Sequence, residues 1–340
     1  MSAVTLLSLL LGAFAGEAGA PDRLERFRTL AAARLAAAQL TDEAAADAYR
    51  EIYSLFDEEI VESLTSGGVF ASIEFLQDRL DAFSDAWGAT AVQLLRVGPF
   101  LVGAFQVSDA PAGNSVRVYG SLHGEAALLT TFYRDGRPTL YALPPAEGAS
   151  QLLVAWDGAP SGRGSRALRL EHLRQVGDGV RTVWSTAEVF TDGLLARGFS
   201  VRASEIRIQY ELRYPGWAPG CDGQTEQQDV YRLTSPPASF VRVAQYQHNA
   251  WHRDFRLAVA RLFSALSTGD RSALSGLVPD AAVRRRLPAT LRAEPACDAL
   301  DGANPDSVSV AASEERGPWQ LTFQRSGNRW RLVRAAPVIQ

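Results

Sequence analysis

The sequence predicts an α+β multidomain fold: a helical N-terminal segment, an antiparallel β domain with a two-blade repeat, and a small α+β C-terminal domain. Three observations carry this. Apolar residues recur at helical spacing up to about residue 90, alternate with period two from about Val92, and return to helical spacing after His248. Charge divides the chain at similar places. Residues 1–92 carry 6 Arg against 15 Asp and Glu, residues 93–251 carry 15 against 14, and residues 252–340 carry 13 against 9. A length of 340 residues also exceeds what one core usually organises.

In chain order, residues 1–20 predict a secretory signal. Val4–Ala15 is an apolar run of h-region length, too short to span a bilayer, and small-x-small sites follow at Ala13–Ala15 and Ala18–Ala20. Pro21 would directly follow the second cut, so cleavage is expected after Ala15. The expected location is secreted or periplasmic, with no membrane span in the mature chain.

Residues 21–90 predict helices. Asp22–Leu40 is rich in Ala, Leu and Arg, and Thr41 can cap a second helix. In that helix Tyr49, Ile52, Tyr53, Phe56 and Ile60 make one apolar face, with Asp57, Glu58, Glu59 and Glu62 on the outer face, where solvation is the simplest expectation. Gly67-Gly68 stops it. Ser72 caps a third helix whose stripe is Ile73, Leu76, Leu80, Phe83 and Trp87, closed by Gly88.

Residues 91–248 predict an antiparallel β domain. In Glu205–Tyr214, residues Ile206, Ile208, Tyr210, Leu212 and Tyr214 share one face and polar side chains the other, the pattern of a strand with one wet side. Turn signals at Arg134-Asp135-Gly136, Gly177-Asp178-Gly179 and Thr191-Asp192-Gly193 predict hairpins. A repeat at an offset of 52 residues aligns Leu101-Val102 with Leu153-Val154, Val116–Val118 with Leu168–Leu170, and Thr130–Phe132 with Thr182–Trp184. Units of about 50 residues with four strands are the arithmetic of propeller blades. Two copies cannot close a ring, so they are expected to pair as a sandwich or blade pair.

Residues 249–340 predict helices and then a hairpin. Phe255, Val259, Leu262 and Phe263 mark one helix, followed by Thr268-Gly269-Asp270, a short helix with Leu274 and Leu277, and a third piece ending at Leu287-Pro288. Pro318–Phe323 and Trp330–Val333 flank a Ser326-Gly327-Asn328 turn. The stretch "STGDRSALSGL" followed by "WQLTF…GNRWRLV" resembles the nuclear-transport-factor-2-like superfamily, over residues 254–340. The resemblance implies a cone-like α+β domain with a pocket between bent sheet and helices; some members are enzymes and many only bind or assemble. No catalytic residue carries over: no His lies beyond His252, and neither Asp270 nor Asp280 matches a catalytic acid.

Composition excludes several chemistries. All 34 basic residues are arginine, so Schiff-base chemistry and phosphate-loop or kinase lysines are excluded. There is no G-x-S-x-G, H-E-x-x-H, C-x-x-C or calcium-loop motif, so no catalytic residue and no cofactor is expected. Arg284-Arg285-Arg286 is expected to be a solvated helix face, not a nucleic-acid site. His248 and His252 stand four apart, as on one helix face, and with Asp254 form a weak metal candidate; other third ligands, Glu171 or His172, are distant. Cys221 and Cys297 lack metal or redox spacing and are expected to form one disulfide in an oxidising compartment. The loop Tyr214–Cys221, stiffened by two prolines, is the expected binding element, with Trp217 and Tyr214 as contact residues. The expectation is an exported, non-catalytic binding or assembly protein whose partner is a protein or small ligand of the cell envelope. The alternative is an exported hydrolase or metal-dependent enzyme using His248, His252 and Asp254.

Overall fold

The computed structural model describes residues 22–36, 42–88, 91–161, 164–236, 238–294, 297–298, 304–327 and 329–338. The expected signal segment and Thr41 lie outside these residues. Three helices come first: α1 (Arg23–Ala36), α2 (Asp42–Ser66) and α3 (Ile73–Trp87). Ser72 caps α3 by accepting from the Phe75 N–H at 3.2 Å, and Gly88 ends it in the left-handed region. The helices bury Phe27, Ile52, Phe56, Leu76, Leu80 and Phe83 together.

Three four-stranded antiparallel meanders follow. The first is β1 (Ala91–Val97), β2 (Phe100–Gln106), β3 (Asn114–Leu122) and β4 (Glu125–Tyr133). The second is β5 (Arg137–Ala142), β6 (Gln151–Asp157), β7 (Arg166–Val176) and β8 (Gly179–Ser185). After the one-turn helix α4 (Thr186–Val189) comes the third: β9 (Leu195–Arg202), β10 (Glu205–Glu211), β11 (Glu226–Thr234) and β12 (Ser239–His248). The start of β7 also pairs with β9, joining the second and third meanders into one folded-over sheet.

The meanders stack, which explains why the central strands are apolar on both faces. In β2, Leu101 and Phe105 face the helices while Val102 and Ala104 face the second meander. In β6, Leu152, Val154 and Trp156 face the first meander, and Leu153 and Ala155 face the third. Period two persists, but neither face is wet. The Gln93 amide fastens β1 to β5, donating to the Leu140 carbonyl at 3.0 Å and accepting the Leu140 N–H at 2.8 Å.

The β domain therefore has three four-stranded meanders where the sequence predicts two units; the predicted offset sets β2 against β6, β3 against β7 and β4 against β8. The gapless offset fails in one pair. Tyr119 pairs with Leu101, whereas Glu171, its equivalent, pairs with Val154 rather than Leu153. A slip of one residue exchanges the faces of a strand, so the apparent match of Leu101 with Leu153 joins opposite faces. Of the three turn signals, only Gly177–Gly179 closes a hairpin. Arg134–Gly136 and Thr191–Gly193 carry the chain between layers, because the segment after each pairs with a different strand.

At each layer boundary the third strand of a meander supplies a buried charged side chain, Arg117, Glu171 or Asp229, to an ion pair. Between helices and first sheet, Arg117 grips Asp57 through Nε at 2.7 Å and through Nη2, and the Tyr119 hydroxyl donates to the same carboxylate at 2.7 Å. Between the first and second sheets, Glu171 takes the Trp156 indole N–H at 3.0 Å and the guanidinium groups of Arg134 and Arg169. Between the second and third, Asp229 accepts from Tyr210 and Arg242, each at 3.2 Å. There, burial and the Asp229 charge push the Tyr231 phenol up to about 12. Two of the acids expected on a solvated helix face are thus engaged by distant arginines, Glu59 buried and Asp57 half-buried. Asp57 holds Arg117, and Glu59 lies between Arg23 and Arg79 at 3.0 and 2.7 Å. The distant arginines that cover them give no signal in the local sequence.

His172 lies buried between the second and third meanders, its Nε2 against Gln151 Oε1 at 3.0 Å and its ring edge-to-face on Phe240. Burial, and then the Arg174 charge, push its pKa down to about 4 from 6.5. The folded chain thus takes up this proton less readily than the unfolded chain. Its contribution is intact above about pH 6.5 and is lost as pH falls from there toward about 4, with no further loss below. The expected size is on the order of 2–3 kcal/mol. Melting the native protein and His172→Gln from pH 7 to pH 4 checks this: the variant should show the shallower decline, and parallel curves would refute it.

The C-terminal unit comprises α5 (Ala250–Thr268), α6 (Arg271–Leu277) and α7 (Ala281–Arg286) packed on a sheet of β13 (Arg292–Ala293), β14 (Ser307–Glu314), β15 (Gly317–Ser326) and β16 (Arg329–Pro337). Gly269, in the left-handed region, ends α5, and Asp270 caps α6. Trp251, Phe255, Leu262, Phe323, Trp330 and Leu332 form its core. No helix among the described residues is long and apolar enough to cross a membrane.

Candidate functional site

The β domain and the C-terminal unit meet where the 214–224 loop lies against α5. The strand expected to reach Tyr214 ends at Glu211, so Tyr214 sits in the loop rather than in the sheet. Its phenol oxygen accepts the Thr225 N–H at 3.0 Å and lies 2.6 Å from His252 Nδ1. On the other side of the ring, His252 Nε2 lies 2.9 Å from Asp298 Oδ2, which Arg256 Nε also approaches to 2.9 Å. With the imidazole proton on Nε2, every group in the chain Thr225–Tyr214–His252–Asp298 has its partner. Burial pushes the Tyr214 pKa upward, so the phenol stays protonated and donates to Nδ1.

This chain spans the junction. Tyr214 and Thr225 come from the β domain, His252, Arg256 and Asp298 from the C-terminal unit. Thr225 adds two further ties, donating its hydroxyl to the Asn249 carbonyl at 2.7 Å and accepting the Arg253 N–H at 3.0 Å. Immediately before Asp298, Cys297 is disulfide-bonded to Cys221 of the loop, 76 residues away. The loop is also stapled from within. The Gln224 amide accepts the Ala218 N–H at 2.9 Å and donates to the Ala218 carbonyl at 2.7 Å, replacing a backbone partner. Trp217 is half-buried under the Arg213 guanidinium, 5.6 Å from the ring centre.

The structure separates the metal candidates. The helix begins at Ala250, so His248 is the last residue of β12 and is exposed, whereas His252 is buried in α5 with 2% of its surface exposed. The spacing of four that suggested a shared helix face crosses a strand-to-helix break at Asn249, which adopts a left-handed conformation. Asp254 points to solvent and pairs with Arg253 at 3.3 Å. Glu171 and His172 lie in the sheet stack. Among the described residues, no three His, Cys, Asp or Glu side chains come close enough to share a metal ion.

Open space lies on both sides of Arg256. Between the loop and α5 is a cleft of about 460 Å³ lined by Pro215, Gly216, Val259, Ala260, Phe263 and Leu291, with Arg256 at its base. Gly216 has a positive φ of 83°, and a Cβ there would stand 3.1 Å from Arg256 Cδ, so this glycine lets the loop close down on the arginine. A second hollow of about 380 Å³ is lined by Asp298, Glu294, Trp319 and Gln320. Sequence reasoning found Tyr214, the loop and both cysteines but missed Asp298 and Arg256. The available signal was the adjacency of Asp298 to a cysteine whose partner lies in the same loop as Tyr214.

No protein-family model matches the chain, and no curated protein matches it in sequence. Among solved structures, the chain aligns with the β-propeller domain of Nup133 from Vanderwaltozyma polyspora at 10% identity and a TM-score of 0.25, covering 73% of this chain and 62% of that one. It also aligns with a protein from Lactobacillus plantarum at 10% identity and a TM-score of 0.17, covering 72% and 70% respectively. At these scores neither likeness bears on the fold or role of this chain.

Proposed function

We propose that this is an exported, non-catalytic binding or assembly protein, and that it seats its ligand in the cleft between the 214–224 loop and α5. The observation that carries the reading is a fixed wall beside open space. Tyr214, Gln224 and the Cys221–Cys297 disulfide hold the loop, and its Pro215-Gly216 edge faces an apolar groove of ligand-binding size. A wall already ordered loses little entropy on binding. Export is supported by the Val4–Ala15 run and by the disulfide, which belongs to oxidising compartments. The resemblance of residues 254–340 to nuclear-transport-factor-2-like proteins, many of which bind or assemble, points the same way.

The enzyme reading requires His252 to exchange protons with a substrate or hold a metal. Both its ring nitrogens are already engaged in a buried chain that serves as a strut. The test is metal analysis of purified, unreduced protein beside His252→Gln. We expect no stoichiometric metal in either, and a modest loss of stability in the variant. Stoichiometric zinc in the native protein, released by His252→Gln, would overturn the proposal.

A further inference from the structure

We infer that the chain carries a second binding site, for a free α-amino acid with an apolar side chain, where it crosses between the sheet layers. The inference is independent of the cleft beside the 214–224 loop.

The two links that carry the chain between layers border one pocket of about 290 Å³. Arg134 and Asp135 come from the link between β4 and β5, and Thr186, Phe190 and Leu194 from the link between β8 and β9. Leu168 and Arg169 of β7 line it from the sheet. Leu168 and Leu194 are buried and Phe190 is half-buried, so this part of the wall is apolar. The polar part is already fixed. Glu171, 1% exposed, holds Arg134 through Nε at 3.1 Å and Arg169 through Nε at 2.9 Å and Nη2 at 2.7 Å. The Tyr133 carbonyl takes Arg134 Nη1 at 2.8 Å. Arg134 Nη2 and Arg169 Nη1 have no acceptor among the described residues. The buried Thr186 hydroxyl accepts the Leu170 N–H at 2.9 Å and donates to no described residue.

The charge count selects the ligand. Two guanidinium groups answer one buried carboxylate, which leaves a surplus positive charge and spare N–H donors suited to a second carboxylate. Because Glu171 pins both arginines, little side-chain freedom is left to lose on binding. Asp135 lines the same pocket, is exposed, and forms no ion pair among the described residues. A ligand carrying a carboxylate alone would be repelled by this acid, and one carrying an amine alone by the arginines. A zwitterion answers both. An apolar side chain on the same molecule would bury itself against Leu168, Leu194 and Phe190. Those three properties together describe a free α-amino acid, whereas a residue inside a peptide lacks both charges. Ligand pockets run from roughly 300 to 1,000 Å³, and this one stands at the small end, as a single amino acid requires.

The experiment is calorimetric titration of dialysed protein with L-leucine and with two analogues that each lack one charge. These are 4-methylpentanoate, without the amine, and 3-methylbutylamine, without the carboxylate. We expect one L-leucine per chain, and each analogue bound at least about tenfold more weakly. Asp135→Asn should weaken L-leucine at least about tenfold without weakening 4-methylpentanoate, a split that general loosening of the fold would not produce. Ala187→Trp, at an exposed position lining the pocket, should abolish binding. Ala260→Trp, in the cleft beside the 214–224 loop, should leave it unchanged, so the two sites succeed or fail separately. Melting confirms that the variants fold; if Ala187→Trp does not, Asp135→Asn and the analogues decide. No binding of L-leucine to the native chain, 4-methylpentanoate bound as tightly as L-leucine, or an Asp135→Asn protein that binds L-leucine as the native one does would overturn the inference.

Discussion

Reducing the Cys221–Cys297 disulfide is expected to lower the stability of the folded chain by about 4 kcal/mol, because the bond closes a loop with a sequence separation of 76 residues. The loss should be local as well as global. Cys297 immediately precedes Asp298, whose carboxylate holds both His252 and Arg256, so freeing the cysteine also loosens the strut between the two units. Calorimetry with and without reductant reads the first effect, and amide exchange over residues 214–224 reads the second. We expect a lower melting midpoint together with faster exchange in that loop. An unchanged midpoint, or two alkylatable thiols in native unreduced protein, would contradict the account.

Trp156→Ala should be similarly damaging. The indole is almost wholly buried between the first two meanders, and its N–H donates to the buried Glu171. Truncation removes a large side chain from a packed boundary, which typically costs about 3–5 kcal/mol. Trp156→Phe separates the two contributions. It retains most of the volume and loses only the hydrogen bond to a charged acceptor, worth about 1.5–3 kcal/mol. Denaturant unfolding of the three proteins should therefore rank native above Phe above Ala. Equal losses for Phe and Ala would mean that the hydrogen bond, not the packing, dominates at this boundary.

What the sequence reveals here follows from the range of each interaction. The Ser72 cap, the Gly88 and Gly269 stops and the alternation of Ile206, Ile208 and Tyr210 are set by residues a few positions apart, and all are legible. The 52-residue offset is less informative: it aligns Leu101 with Leu153, which face opposite ways, because register is set between strands and not along one. Turn chemistry is only half informative: Asp-Gly reverses the chain but does not say which strand receives it. The three ion pairs between layers are illegible: Asp57 and Arg117, for example, lie 60 residues apart and nothing local marks them. The same holds for the junction. Tyr214 and Cys221 stand out as loop residues, but Asp298 gains its role from a fold that brings position 252 beside it.

The most direct test of the central claim is whether the cleft beside the 214–224 loop binds a ligand. Ala260 lines that cleft and is exposed, so Ala260→Trp should fill the groove while leaving the fold intact. Native mass spectrometry should compare the two proteins, each recovered from the extracytoplasmic fraction of its source. The account predicts a non-covalent, non-metal adduct on the native chain, released on denaturation and absent from Ala260→Trp. An adduct retained in full by Ala260→Trp, or no adduct other than a stoichiometric metal ion, would contradict it.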